Sequence, residues 1–110
     1  MNSNQKTIII GDKALTLRAT FRALANIEDK TLKPFTTLIQ DAAEGRFRIK
    51  DVAVILKEGS AAADAPLTDK EIEDLIEENG VLNVATGLAE FLAAALYGGV
   101  DKPVEKKVAE

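Results

Sequence analysis

The chain has 110 residues, carries 14 basic and 18 acidic side chains, and contains neither cysteine nor histidine. Those two absences exclude a thiolate nucleophile, a disulfide, a Cys/His zinc site, a haem ligand and a Ser-His-Asp triad. Hydrophobic residues make up 46% of the chain but aromatics only 5%, a composition that favours closely packed helices over a deep ligand pocket.

A chain of this length predicts one domain. Its formal net charge of −4 argues against a nucleic-acid-binding face, which concentrates basic residues. The charge is unevenly spread, with a net +4 over residues 1–50 and −8 over residues 51–110. The plain reading is that acidic helices keep a small protein soluble; the sharper one is a polar molecule that docks a charged partner through one face. Three consecutive isoleucines near the start fall short of a secretory segment. The longest apolar run, from Phe91 to Tyr97, is too short to span a bilayer. The expectation is a soluble, cytoplasmic protein with no membrane partner.

Thr7-Ile8-Ile9-Ile10 and Ala14-Leu15-Thr16-Leu17-Arg18 flank Gly11-Asp12-Lys13 and read as a β-hairpin. Two strands are marginal in water, so the hairpin must lie against an apolar surface that the later helices supply. Thr20 caps a first helix with Phe21, Leu24, Ala25 and Ile27 on one face, ending near Lys30 or Thr31. Pro34 suits the first turn of a second helix that buries Phe35, Leu38, Ile39 and Ala42 and stops at Gly45. A third begins around Lys50 or Asp51, turns Val52, Ile55 and Leu56 inward and stops at Gly59. Ser60 to Pro66 reads as a mobile loop, or in part as an extension of that helix, alanine being a strong helix former.

Thr68-Asp69-Lys70-Glu71 is a capping box, with Leu67 and Ile72 placed for the accompanying hydrophobic staple. The helix it opens buries Ile72, Leu75 and Ile76 and closes at Asn79-Gly80. A last helix from Val81 to Tyr97 turns Val84, Ala85, Leu88, Leu92, Ala95 and Leu96 inward and ends at Gly98-Gly99. The sum is an α+β fold, mainly α: an N-terminal β-hairpin followed by about five short helices. Residues 1–6 form a disordered N-terminus, 7–99 one domain, and 100–110 a flexible charged tail broken by Pro103.

Asp69, Glu71, Glu73, Asp74, Glu77 and Glu78 crowd a single helix that has Lys70 as internal counterion. Glu73–Glu77 and Asp74–Glu78 are like-charge pairs at i,i+4, each costing about 0.2–0.5 kcal/mol. Glu77 and Glu78 also stand at the end of the helix where the dipole disfavours them. Helical spacing cannot wrap a calcium ion, and a glycosidase cleft wants aromatic walls that this chain lacks. No catalytic, cofactor-binding or metal-ligating residue is assigned. Glu73, Asp74, Glu77 and Glu78 are candidates for partner contact, the alternative being a solvated face.

Leu15-x-Leu17-x-x-Thr20-x-x-Ala23-Leu24-x-x-Ile27-Glu28 resembles the opening of small tail proteins from tailed phages and gene transfer agents, called tail tube proteins or tail assembly chaperones. Similar too are Gly45, Asp51-Val52-x-x-Ile55-Leu56-x-x-Gly59, Leu67-Thr68-x-x-Glu71, Gly80 and the closing Ala-rich helix to Leu96. The likeness spans residues 7–99, departing from the family after Gly59, where an Ala-rich stretch replaces a glycine-rich link. The resemblance implies no enzymatic activity and no cofactor. It implies a tail assembly chaperone that binds the tape measure protein and helps recruit tail tube subunits; self-association is compatible with it. A structural tail subunit retained in the phage-like particle is the alternative, and a small regulatory protein-binding module a further one.

Overall fold

Alternating apolar residues at the start of the chain create a half-apolar ribbon, and everything downstream is arranged to cover it. The computed structural model describes residues 5–96. The order is β1 (Gln5–Ile10), β2 (Lys13–Arg18), α1 (Phe21–Thr31), α2 (Phe35–Ala43), α3 (Ile49–Ala62), α4 (Asp69–Asn79) and α5 (Val81–Leu96). The chain is therefore mainly α with one antiparallel hairpin, as the sequence pattern predicts. Most of the expected N-terminal leader, the closing Gly98-Gly99 and the charged tail lie outside the described residues.

The hairpin pairs from Gln5 with Arg18 to Ile10 with Lys13. Its strands begin earlier and approach the turn more closely than the sequence pattern indicates: Gln5 and Lys6, assigned to the disordered leader, are strand residues. Only Gly11 and Asp12 remain in the turn, and Gly11 takes φ +66°, the positive value that two-residue hairpin turns require at their first central position. Strand period 2 sends Ile8, Ile10, Leu15 and Leu17 into the core and leaves Thr7, Ile9 and Ala14 outside.

Helix α3 lies over β2 and helix α5 over β1. Each meets the hairpin at a glycine. A methyl group at Gly59 would stand 3.3 Å from Leu17 Cβ and 3.3 Å from Phe91 Cζ, and one at Gly87 would stand 3.3 Å from Ile10 Cγ1. Gly59 is thus a point of close packing inside α3, which corrects its reading as a helix stop. The helix continues to Ala62 and ends in paired bonds from Ala65 N–H to Ser60 O (3.0 Å) and from Asp64 N–H to Ala61 O (3.1 Å). This is the Schellman arrangement, with Asp64 at φ +62° in the left-handed position that glycine usually fills. Ser60 is correspondingly a buried helix residue. Its hydroxyl donates to Lys57 O (3.2 Å) and accepts from Leu67 N–H (3.1 Å), tying the following loop to α3.

Around this centre, α1 packs on α3, α2 on α5, and α4 against both α3 and α5. Thr20 caps α1 by accepting from Ala23 N–H at 3.0 Å. The buried stripe of α1 is Ala23, Ile27 and Thr31. Phe21, two residues from Ala23 and so on the opposite side of a 3.6-residue turn, is 88% exposed rather than buried. Pro34 is the N-cap of α2 rather than part of its first turn, and the Glu28 carboxylate accepts from Phe35 N–H (2.8 Å) in its place. Gly45 closes α2 as expected, with Arg46 N–H donating to Asp41 O at 2.8 Å.

The capping box of α4 forms in full. Thr68 Oγ1 accepts from Glu71 N–H (3.1 Å) and Glu71 Oε1 from Thr68 N–H (2.8 Å). On α5 the buried residues are Val84, Ala85, Leu88, Phe91 and Leu92, while Ala95 is half-buried and Leu96 49% exposed. Phe91, which sequence periodicity did not place inside, fills the space between α3 and α5 beside Gly59. No single helix among the described residues is long and apolar enough to cross a membrane. The joint apolar length of α4 and α5 is broken by a 113° bend.

The close approach at Gly59 generates a direct test. Gly59→Leu drives a bulky side chain into Leu17 and Phe91 and should lower stability by about 1–3 kcal/mol, as overpacking of a filled core does. Urea unfolding followed by circular dichroism measures it.

Candidate functional site

The acidic helix predicted from sequence is α4, and the structure distributes its carboxylates unequally. Glu73, Glu77 and Glu78 are exposed, whereas Asp74 is half-buried and pairs with Lys70 Nζ at 3.0 Å. Asp69, at the N-terminus, pairs with Lys57 of α3 at 2.7 Å. Hydrogen bonding to these carboxylates raises Lys70 and Lys57 above the ordinary lysine value. The four candidate residues therefore separate into a locally compensated Asp74 and three outward carboxylates. Among the described residues no cluster of three or more His, Cys, Asp or Glu could hold a metal ion.

A second charged assembly was not legible as such in the sequence. Asp51, in the first turn of α3, is 3% exposed. Its carboxylate accepts from Arg48 Nε (3.1 Å) and Nη2 (3.0 Å) and pairs with Lys33 Nζ at 3.1 Å. Lys33 also reaches Asp41 of α2 at 3.1 Å, and Arg48 Nη2 donates to Thr31 O at the end of α1 (2.9 Å). One carboxylate thus ties together the end of α1, the turn after it, α2 and the start of α3. Its position in the first turn also sets it in the favourable field of the helix N-terminus. Beneath it an enclosed space of about 10 Å³ lined by Leu38, Asp41 and Phe47 has room for about one water, not for a substrate.

This network holds two apolar side chains outward. Leu32, which ends α1, has φ +61° and ψ +33° and is 85% exposed; Ile49, which begins α3, is 58% exposed. The left-handed region costs a branched L-residue about 1–2 kcal/mol, so a bulky residue is kept there without burial in return. Together with Val54 they line a shallow groove of about 520 Å³ bordered by Lys30, Arg48 and Lys50. Lys50 and Val54 also line an adjoining groove of about 310 Å³ between α3 and α4, whose other side carries Asp69 and Glu73. The two grooves adjoin along α3, sharing Lys50 and Val54, and the second carries Lys57 paired with Asp69 as well as Glu73. The available sequence signal was the half-to-half charge asymmetry; the apolar strip was hidden because Leu32 lies in a turn and Ile49 at a helix start, outside any periodic stripe.

With the geometry of a small helix-covered hairpin established, a comparison with protein families is decisive. Residues 3–98 match the model of the family described as phage tail tube protein, GTA-gp10. The chain belongs to this family. Membership covers nearly the whole chain, includes the hairpin and all five helices, and places the protein among the tail components of phages and gene transfer agents. No curated protein and no solved structure matches it.

Two measurements test the network that shapes this tail-family surface. Asp51→Ala removes the acceptor shared by Arg48 and Lys33 and should cost about 1–3 kcal/mol, the range for hydrogen bonds to charged groups, read from urea midpoints at neutral pH. Lys33 is raised above 10.5 by its hydrogen bonds to Asp41 and then Asp51, against a smaller opposing desolvation. A raised lysine contributes stability that is whole below its ordinary value and lost as pH climbs through the folded one. The stability difference between wild type and Lys33→Met should therefore be constant below the ordinary lysine value of 10.5 and shrink as pH climbs above it.

Proposed function

We propose that the chain is a non-enzymatic structural subunit of a phage or gene-transfer-agent tail, retained in the finished particle. The observation that carries this reading is the family match over residues 3–98, whose description is a tail tube protein. The chemistry of the sequence is consistent with it: without His or Cys, the chain has no imidazole base, no thiolate nucleophile and no soft metal ligand of those two types. The surface supports it as well. Ile9, Phe21, Leu32, Ile49 and Leu82 are large apolar side chains left more than half exposed, as a subunit that completes its burial by assembly leaves them.

The second reading is a tail assembly chaperone that binds the tape measure protein and helps recruit tail tube subunits. The outward carboxylates Glu73, Glu77 and Glu78 favour it, because they offer a basic helical partner an electrostatic landing face. The two readings differ in where the protein ends up. Quantitative mass spectrometry of purified particles should find the chain in many copies per particle, at a fixed ratio to other tail proteins. Its absence from particles, together with recovery bound to the tape measure protein in lysates, would select the chaperone.

A further inference from the structure

Helix α4 differs from the other helices in how it is held. It buries two side chains, Ile72 and Leu75, where it packs on α3 and α5. Its first turn stands off from α3, leaving the open groove of about 310 Å³ lined by Ala53, Val54 and Ile72. Its end groups are satisfied from within. The capping box of Thr68 and Glu71 closes the N-terminus, and Gly80 N–H donates to Ile76 O (2.9 Å) at the other end. Among the described residues, the one polar tie from α4 to another helix is Lys57–Asp69, with both side chains exposed, and such a pair contributes little. The Asn79 side chain also rests against Gly11 at the hairpin turn. Helix α2 likewise buries two side chains, yet Glu28 of α1 binds its Phe35 N–H and Lys33 binds its Asp41. Helix α1 is tied to Glu58 of α3 through Asn26 and Lys30.

We propose that α4 is a separately opening flap, which leaves its seat on α3 and α5 while the hairpin core stays closed. The roof of the hairpin is α3 and α5, so the departure of α4 does not uncover Ile8, Ile10, Leu15 or Leu17. Both ends are placed for the movement. Gly80 has φ +85°, and nothing lies within 4 Å of where a Cβ would stand. At the other end Leu67 N–H is pinned to Ser60 Oγ (3.1 Å), so the mobile part starts at Thr68. Off its seat, a helix of 11 residues that carries the Glu73–Glu77 and Asp74–Glu78 repulsions is marginal in water. Opening is therefore a local unfolding of α4, at a free energy below that of the whole domain. It turns the groove beside α3 into a wider apolar seat, so the domain alternates between an acidic closed surface and an apolar open one. The inference does not depend on whether the protein stays in the particle, since the hold on α4 is internal to the chain.

The test is native-state hydrogen exchange of the full wild-type chain at low urea concentrations. Amides of α4 should exchange at least about tenfold faster than the slowest amides of α3 and α5. Their exchange should also depend only weakly on urea, because a small opening exposes little surface. Amides of α2 should follow the core and not α4. Thiol labelling supplies an independent arm, since the chain has no cysteine of its own. A single Leu75→Cys on α4 should react with a thiol reagent at least about tenfold faster than a single Leu88→Cys on α5. Both positions are buried, and circular dichroism confirms that each variant is folded. Amides of α4 that exchange as slowly as those of α3 and α5, with the same urea dependence, overturn the proposal. A Leu75→Cys thiol no more reactive than that of Leu88→Cys, or an α2 that opens as readily as α4, overturns it equally.

Discussion

The fold depends on how closely two helices can approach the hairpin. A two-stranded ribbon has no stability of its own, and here its inner face of Ile8, Ile10, Leu15 and Leu17 is roofed by α3 and α5. At this spacing even a methyl group at the crossing points, Gly59 and Gly87, would stand 3.3 Å from its neighbours, closer than ordinary van der Waals contact. Glycine inside a helix costs about 1 kcal/mol relative to alanine. That cost is offset by aliphatic contacts that a more distant helix would lose, since dispersion falls steeply with separation. Phe91 then fills the wedge between α3 and α5. The remaining helices are buttresses: α1 supports α3, α2 supports α5, and α4 bridges the two.

The polar counterpart of that core is Asp51. It is buried, yet its partners Arg48 and Lys33 are partly in water, so the carboxylate is satisfied without the full desolvation cost of a buried ion pair. Its effect is geometric. It fixes the turn of Leu32, Lys33 and Pro34 to the start of α3, and so decides that Leu32 and Ile49 face the same way. Surface character and core architecture are coupled at this point, since the interactions that pin the helices also hold the apolar strip open to a neighbour.

Much of this was legible in the sequence, for identifiable reasons. Period-2 alternation around a glycine turn announced the hairpin, and capping chemistry placed Thr20, Gly45 and Thr68 correctly because those signals act within a few residues. Failures arose where a long-range contact overrode a local rule. Gly59 looks like a stop by composition but serves a crossing, and the stop itself is Asp64 in a position normally read from glycine. Phe21 belongs to an apolar stripe by spacing, but α3 meets the other side of α1. Phe91 was passed over on α5 because nearly every residue there is apolar and periodicity gives little contrast. The acidic helix was found as a cluster, yet the sequence could not show that Asp69 and Asp74 are paired while Glu73, Glu77 and Glu78 face outward.

The topology also bears on how the chain comes to be folded. The first strand is covered by the last helix, so the β1 half of a hairpin emerging from a ribosome has no roof until α5 has followed it. Folding from the N-terminus onward cannot proceed in stable steps, because β1 waits for residues such as Leu88 and Leu92 at the far end of the domain. Until α5 is made, the uncovered apolar side of β1 is exposed to neighbouring nascent chains. Keeping the domain short is itself a defence: about ninety residues between first strand and last helix take roughly 5–20 s to synthesise.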